Sequence, residues 1–199
     1  MKDQNSALRR TWMSSCKRVA FLLLFASCAL SATAQKGEDV SVFTDPGRRF
    51  SVEFPTGWEW KIISPAGESL ALFLHPKSEA AVVVEHLRLK LRLEADDITD
   101  VFLNIESDYI KEHQPKASNV VARFSTRNGR NIVIVDYTRP ADDERAGERV
   151  RVRQYSLPQG QDLFRLTCMA AQSRFTRYES TFASIAESFT TAEALAGAK

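Results

Sequence analysis

The spacing of apolar residues in this chain changes three times, and that alternation constrains the fold more than any other feature of the sequence. Apolar side chains recur at every second position from Phe50 to about Leu93, and then at intervals of three and four until Tyr109. Alternation returns from Val120 to Ala170, and a final helical stripe follows. An order of strands, helix, strands and helix predicts a single α+β domain, in which helices pack on an antiparallel sheet.

The first group of predicted strands is punctuated by one clear turn. Pro55-Thr56-Gly57 ends the strand that contains Phe50, Val52 and Phe54. Leu70 to Leu74 is apolar on both sides, as in a central strand that is covered on both faces. A long strand then runs from Ala80 to about Leu93, with Leu87, Leu89, Leu91 and Leu93 on one face.

Two helices are predicted from stripes of apolar residues. For the first, we expect Asp97 to be the N-cap and Pro115 to end the helix. Its predicted buried face is Ile98, Val101, Phe102, Ile105 and Tyr109. The second helix lies near the end of the chain, and its predicted buried face is Phe175, Tyr178, Phe182, Ile185 and Phe189.

Between the helices the sequence predicts an antiparallel meander of four strands. Asn128-Gly129 is a strong signal for a two-residue hairpin, and Pro158-Gln159-Gly160 predicts another reversal. The strands that flank these turns contain Val120 to Phe124, Ile132 to Tyr137, Val150 to Val152, and Leu163 to Ala170.

The N-terminus has the pattern of a secretory signal. Lys17-Arg18 precedes the apolar run Val19 to Leu30, and Ala32-Thr33-Ala34 fits a cleavage site before Gln35. The run is too short to span a bilayer, so we expect no membrane anchor after processing. Phe25-Ala26-Ser27-Cys28 partly resembles a lipobox, which leaves lipid attachment at Cys28 as an alternative.

These patterns divide the chain into four segments and predict an exported protein, periplasmic or secreted. They are a signal peptide at 1–34, a flexible start at 35–46, the α+β domain at 47–191 and a frayed tail at 192–199. The first 34 residues hold five basic residues and one acidic residue, so the net charge of +2 becomes −2 after processing. Bulk charge therefore gives no argument for nucleic-acid binding.

Cys168 is the only cysteine that remains after the predicted processing, so no internal disulfide is expected. It alternates with Phe164, Leu166 and Ala170 on the apolar side of a strand. We therefore expect an inert core thiol.

Two stretches resemble the PsbP-like family. GRRFSVEFPTGWEWK (47–61) is similar to the family's opening strand and Pro-x-Gly-Trp turn, and DLFRLTCMAAQSRFTRYESTFASIAESFT (162–190) is similar to its last strand and helix. The resemblance implies an antiparallel sheet sandwiched by helices and a mostly non-catalytic family. Its photosynthetic members are lumenal subunits that help photosystem II to retain calcium and chloride, and a relative of similar fold binds a small GTPase. The resemblance transfers the fold and no functional residue.

No common catalytic or metal-binding motif is present in the sequence. The chain lacks G-x-S-x-G, H-E-x-x-H, a P-loop, G-x-G-x-x-G and C-x-x-C. His75, His86 and His113 are far apart, and neither the Asp96, Asp97, Asp100 group nor the 142–144 group has EF-hand spacing. We expect no enzyme activity, no cofactor and no metal.

Two basic rows are the candidate site. His86, Arg88, Lys90 and Arg92 alternate with the leucines of the long strand, and Arg149, Arg151 and Arg153 form a second row. If both rows share a face, they form a patch for an anionic surface, lipid headgroup, glycan or protein. The alternative is two solvated faces that neighbouring carboxylates neutralise.

Two further features leave alternatives open. Strict alternation places Glu85 on the leucine face, so we expect a β-bulge near Glu85-His86 to turn it outward, a buried carboxylate being the alternative. Trp58 and Trp60 share one side of a strand, and we expect core anchors rather than a sugar-stacking platform.

The function that these observations favour is an exported, non-catalytic binding or assembly module whose partner is another protein or complex of the cell envelope. An uncatalogued hydrolase and an anionic-ligand binder that uses the basic rows remain the alternatives.

Overall fold

The computed structural model describes residues 39–63, 69–77, 79–93, 99–127, 129–141 and 147–191. Several sequence-based expectations lie outside the described residues. They are the signal peptide with Cys28 and the Ala34/Gln35 cleavage site, Asp96 to Ile98, Asn128, the acidic loop 142–146 and the tail 192–199.

Nine strands and two helices make up the described part of the chain. The strands are β1 Val40–Thr44, β2 Phe50–Pro55, β3 Glu59–Ile63, β4 Ser69–Leu74, β5 Ala80–Leu93, β6 Ser118–Arg127, β7 Arg130–Pro140, β8 Arg149–Ala171 and β9 Thr190–Thr191. The helices are α1 Asp100–His113 and α2 Phe175–Ser188. α1 ends two residues before Pro115, as predicted, and its N-cap is Thr99.

The strands form two antiparallel sheets. The larger has the order β3-β4-β5-β8-β7-β6, and the smaller has the order β1-β2-β9. The predicted turn after β2 is present: the Trp58 amide donates to the Pro55 carbonyl at 3.2 Å. Gly57, at φ +91°, occupies the third position of that turn, where a type II turn requires a positive φ.

β8 is a continuous extended segment that folds back on itself. A straight strand of 23 residues would span about 75 Å, yet the Gln172 amide donates to the Arg149 carbonyl at 2.8 Å. Its first part pairs with β7 and its second part with β5, and Gly160 between them has a φ of +58°. The reversal predicted at Pro158-Gln159-Gly160 is therefore confirmed, and with it the antiparallel meander.

The two helices cover opposite faces of the larger sheet. On one face, α2 and the smaller sheet enclose a core that includes Phe50, Phe73, Phe164 and Phe182. On the other face, α1 places Phe102 and Ile110 against Val133, Val135 and Leu163. The predicted α+β sandwich is confirmed, and the predicted stripe of α2 is buried, with Phe189 just beyond the helix end.

Four local expectations are wrong, each for a physical reason. Val40–Thr44 forms β1, paired with β2 over five residues, where a flexible start at 35–46 was expected. β5 keeps a regular register past Glu85, and its irregularity lies between Arg88 and Leu93, so the expected bulge at Glu85-His86 is absent.

The other two incorrect predictions concern which side chains are exposed to solvent. Trp58 is buried but Trp60 is 53% exposed, because β3 is an edge strand and Trp60 lies across the Phe43 ring. In α1 the buried side chains are Phe102, Glu106 and Ile110, whereas Val101 is 45% exposed, so the helix is rotated from its predicted orientation.

Candidate functional site

A cluster of polar side chains lies in the core beneath α1. The Glu106 carboxylate, on the buried face of the helix, accepts hydrogen bonds from Gln154 Nε2 at 2.8 Å and from Ser156 Oγ at 2.7 Å. Its other oxygen accepts from the Arg165 guanidinium at 3.3 Å. The side chains of Glu106 and Arg165 are both fully buried.

Arg165 remains charged in this interior because its surroundings supply compensating charge. Burial alone would lower the pKa of Arg165, but electrostatic interactions with Glu106, Tyr109 and Glu85 raise that pKa above its usual value. Glu85 lies directly opposite Arg165 in the register of β5 and β8, and the guanidinium stacks 3.9 Å from the centre of the Tyr109 ring. Glu85 is thus half-buried on the leucine face, next to a buried cation.

A second polar cluster lies where the smaller sheet meets β5. His86 Nε2 donates to Asp162 Oδ1 at 2.7 Å, and Arg49 approaches His86 Nδ1 at 3.4 Å. The His86 ring stacks on Phe164, with 4.9 Å between centroids. Burial alone would raise the pKa of the Asp162 carboxyl, but hydrogen bonds from Arg88 and His86 lower it below the ordinary value of 3.8.

In both clusters, the atoms best suited to general acid–base catalysis contact other side chains of the protein. A catalytic base needs a nitrogen or oxygen within hydrogen-bond reach of a substrate proton. Both ring nitrogens of His86 face other side chains of the protein, and the carboxylate of Glu106 is enclosed and bonded at both oxygens. These side chains converge, but their functional atoms bind one another.

The two basic rows lie in separate clusters. Arg153 binds Asp136 and Glu179, each at 2.7 Å, and Arg151 lies 4.6 Å from the centre of the Phe175 ring. Arg149 donates to Thr138 Oγ1 at 3.1 Å. In the first row, His86 and Arg88 share Asp162, while Lys90 and Arg92 are exposed.

Asp136, the carboxylate that binds Arg153 of the second row, is strongly paired. Burial alone would raise the pKa of Asp136, but hydrogen bonds from Arg153 and Arg123 outweigh that effect and lower the pKa below 3.8. Most of the second row is therefore engaged in holding α2 and three strands together.

The remaining histidines and Cys168 have structural surroundings. His75 packs edge-on between Trp58 and Tyr178, and His113 stacks on Tyr109. Cys168 is fully buried, and burial raises the pKa of its thiol, as expected for an inert core residue. Among the described residues, no three His, Cys, Asp or Glu side chains are grouped as a metal site would require.

Exposed apolar side chains mark the edges of β1 and β3. Val40 and Val42 on β1 are 59% and 64% exposed, and Trp60 and Ile62 on β3 are also exposed. The edge-on contact of Trp60 with Phe43, 5.0 Å between centroids, joins these two strands. In the described strand order, each of them pairs on one side only.

Part of this arrangement was accessible from sequence. The alternation of β5 correctly placed the first basic row on one strand, and strict alternation alone would have placed Glu85 beside the leucines. The sequence analysis did not identify Glu106, Gln154, Ser156 and Arg165, because Glu106 interrupts the apolar stripe of α1 while the other three lie in the two parts of β8, and only the fold brings them together. No helix in the described part of the chain has the length and apolar character needed to cross a membrane.

Comparisons with known proteins agree with this architecture. The solution structure of cyanobacterial PsbP (CyanoP) from Synechocystis sp. PCC 6803 matches with a TM-score of 0.57 and 15% identity, over 81% of this chain and 97% of that chain. The Ran-binding protein Mog1p of Saccharomyces cerevisiae matches with a TM-score of 0.54 and 7% identity, over 78% of this chain and 97% of its own. At these identities the two structures show a shared fold.

Comparison of the sequence with known families is more specific than comparison of the two structures. None of the curated proteins matches the sequence. The family model described as PsbP matches residues 38–191, which is most of the chain and includes β1 as well as both stretches that resemble the family, 47–61 and 162–190. This chain belongs to the PsbP family.

Proposed function

We propose that this protein is an exported, non-catalytic module that binds another protein of the cell envelope. The observation that carries the proposal is the exposed apolar surface of Val40, Val42, Trp60 and Ile62 along the edges of β1 and β3, called here the open edge. The export signal predicted at 1–34 supports the location, and the PsbP family, whose members are mostly non-catalytic, supports the class.

In both polar clusters the functional atoms are bonded to other side chains of the protein, which supports a binding role over an enzymatic one. His86 and Glu106 are the residues best suited to proton transfer, and each has its functional atoms bound within the protein. The Mog1p structure is described as that of a Ran-binding protein, so this fold supports protein binding in at least one relative.

The chemistry of the open edge favours an extended segment of the partner. An edge strand presents unpaired backbone N–H and C=O groups, to which another strand can add. Trp60 and Ile62 share one face of β3, because they are two positions apart, so an added strand would bury apolar side chains against them. Tryptophan is also enriched among the residues that dominate binding energy.

The proposal is tested by paired substitutions at the two ends of the larger sheet. A partner captured from the envelope with the wild-type protein is purified and titrated against Trp60→Glu/Ile62→Glu. We expect its affinity to fall at least about 10-fold, the loss of one buried aromatic anchor. The matched control is Val121→Glu/Phe124→Glu on β6, whose side chains are 56% and 43% exposed.

Two results would count against the proposal. The first is an equal loss of affinity in both double variants, since the effect would then come from added charge in general. The second is unchanged affinity in Trp60→Glu/Ile62→Glu, which would place the docking surface elsewhere on the protein.

A further inference from the structure

Along β3, the apolar side chains of the open edge alternate with two charges. Trp60 and Ile62 lie on the face that the smaller sheet covers, because the β4 residues opposite them belong to the core on that side. Glu59 and Lys61 lie on the other face, and both are exposed. In the described part of the chain, neither of these two charges has an ion-pair partner. The strand therefore offers an added strand both apolar area and two charges that are open to pairing.

The register of β3 determines which residues of an added strand would face it. β3 pairs with β4 over five residues in a regular antiparallel register, and the other described pairings of the larger sheet are antiparallel as well. A strand that adds in the same sense places one residue directly opposite each residue of β3, with both side chains on one face. Opposite charges stabilise such a cross-strand pair, whereas like charges destabilise it.

We propose that the segment which binds the open edge is an antiparallel strand with an acidic residue opposite Lys61 and a basic residue opposite Glu59. Its residues opposite Trp60, Ile62 and the half-buried Ile63 are apolar. Because the two strands run in opposite directions, the segment reads apolar, apolar, acidic, apolar, basic from its own N-terminus. This inference rests on the proposed function, since it describes the segment by which the envelope partner binds.

A second copy of this chain fits the same edge less well. When two β3 strands pair about a two-fold axis so that all five residues overlap, Lys61 lies opposite Lys61 of the other copy, which is destabilising. A register centred on Trp60 pairs Glu59 with Lys61 instead. That register overlaps only part of the strand and leaves Ile62 and Ile63 uncovered, because β3 begins at Glu59.

The inference is tested with two capped peptides of identical composition, Thr-Val-Ile-Glu-Val-Lys-Thr and Thr-Val-Ile-Lys-Val-Glu-Thr. Each is titrated against the protein purified from the secreting cell, at low ionic strength. The first peptide should bind about 10-fold more tightly, because it forms two pairs of opposite charge where the second forms two pairs of like charge. The preference should shrink as the ionic strength is raised from about 0.01 to about 0.3 M, since exposed charges are screened.

Reversing the two charges of β3 gives the sharpest measurement. The variant Glu59→Lys/Lys61→Glu should prefer the second peptide by a similar factor of about 10, with Trp60 and Ile62 unchanged. The matched control is Glu112→Lys/Lys116→Glu, which exchanges two exposed charges outside β3 and keeps the same net charge. It should bind the first peptide as the wild-type protein does.

Several results would overturn the inference. They are equal affinity of the wild-type protein for both peptides, binding of neither peptide, and an unchanged preference in Glu59→Lys/Lys61→Glu. Dimers of the wild-type protein that Trp60→Glu/Ile62→Glu abolishes would also overturn it, in favour of a second copy. If the captured partner still loses affinity for Trp60→Glu/Ile62→Glu, the proposed function stands without the charge pairing, so the two failures are distinguishable.

Discussion

α1 and α2 are both 14 residues long and cover opposite faces of one sheet, but they are attached to it by different chemistry. α2 buries an apolar stripe of Phe175, Tyr178, Phe182 and Ile185. α1 buries Phe102 and Ile110 with a carboxylate, Glu106, between them. The comparison shows that a helix position can be fixed by a bonded charge as well as by apolar area.

The two arrangements respond differently to substitution because their free energies have different sources. The α2 contact gains from removing apolar surface from water, and its loss leaves a cavity. The Glu106 cluster offsets two desolvation penalties with hydrogen bonds, so its net contribution depends on every partner remaining in place.

The largest expected effect is that of removing the buried carboxylate. Glu106→Ala leaves the Arg165 cation enclosed without its main counter-charge, which should lower the free energy of unfolding by about 3–5 kcal/mol in urea denaturation. Glu112→Ala, an exposed glutamate of the same helix, should change stability by less than about 0.5 kcal/mol. Similar small losses in both variants would show that the cluster does not hold α1.

Substitution of a buried apolar residue in α2 tests whether the two helices are stabilised by different interactions. Phe182→Ala in α2 should cost a similar 3–5 kcal/mol, roughly, through cavity formation. Replacing both members of the ion pair, as Glu106→Leu/Arg165→Met, should recover part of the loss, because removing a buried ion pair whole is often neutral or stabilising, although Gln154 and Ser156 lose their acceptor. If the double variant is as unstable as Glu106→Ala, the charges are needed for packing and the distinction fails.

This difference also explains which part of the fold could be predicted from sequence. The stripe of α2 was found because every buried position is apolar. In α1 the apolar spacing favours Val101 and Ile105 and does not include Glu106, since nothing local indicates that Gln154, Ser156 and Arg165 will satisfy a buried carboxylate. The reversal of β8 was predicted from Pro158 and Gly160, but its register, which brings Ser156 to the same carboxylate as Arg165, depends on the assembled sheet.

The rotation of α1 itself gives the next prediction. Ile110 is 2% exposed and Val101 is 45% exposed, although both are apolar and lie nine positions apart on the helix. Ile110→Ala should destabilise the protein by roughly 2–5 kcal/mol, and Val101→Ala by less than about 0.5 kcal/mol. Thermal and urea unfolding of each variant and of the wild type measure these differences. The opposite order would restore the orientation predicted from the apolar stripe.

The smallest expected effect concerns the charges at the edge of α2. Arg153 bridges Asp136 on β7 and Glu179 on α2, in a site that is partly open to solvent. Asp136→Asn should cost about 1 kcal/mol near neutral pH, because the arginine retains Glu179 and water can compensate part of the loss.

The pH dependence of that loss follows from the pKa of Asp136, which hydrogen bonds from Arg153 and Arg123 hold below 3.8 against the opposing effect of burial. A carboxylate with a lowered pKa stabilises the folded state above its unfolded value, and the contribution disappears as the pH falls through the lower folded value. The difference between wild type and Asp136→Asn should therefore be constant from pH 7 to 5 and shrink below about pH 4. A stability difference between wild type and Asp136→Asn that persists unchanged at pH 2.5 would mean that Asp136 contributes through packing and not through its charge. The contact of α2 through Glu179 would then resemble the apolar contacts at the centre of that helix.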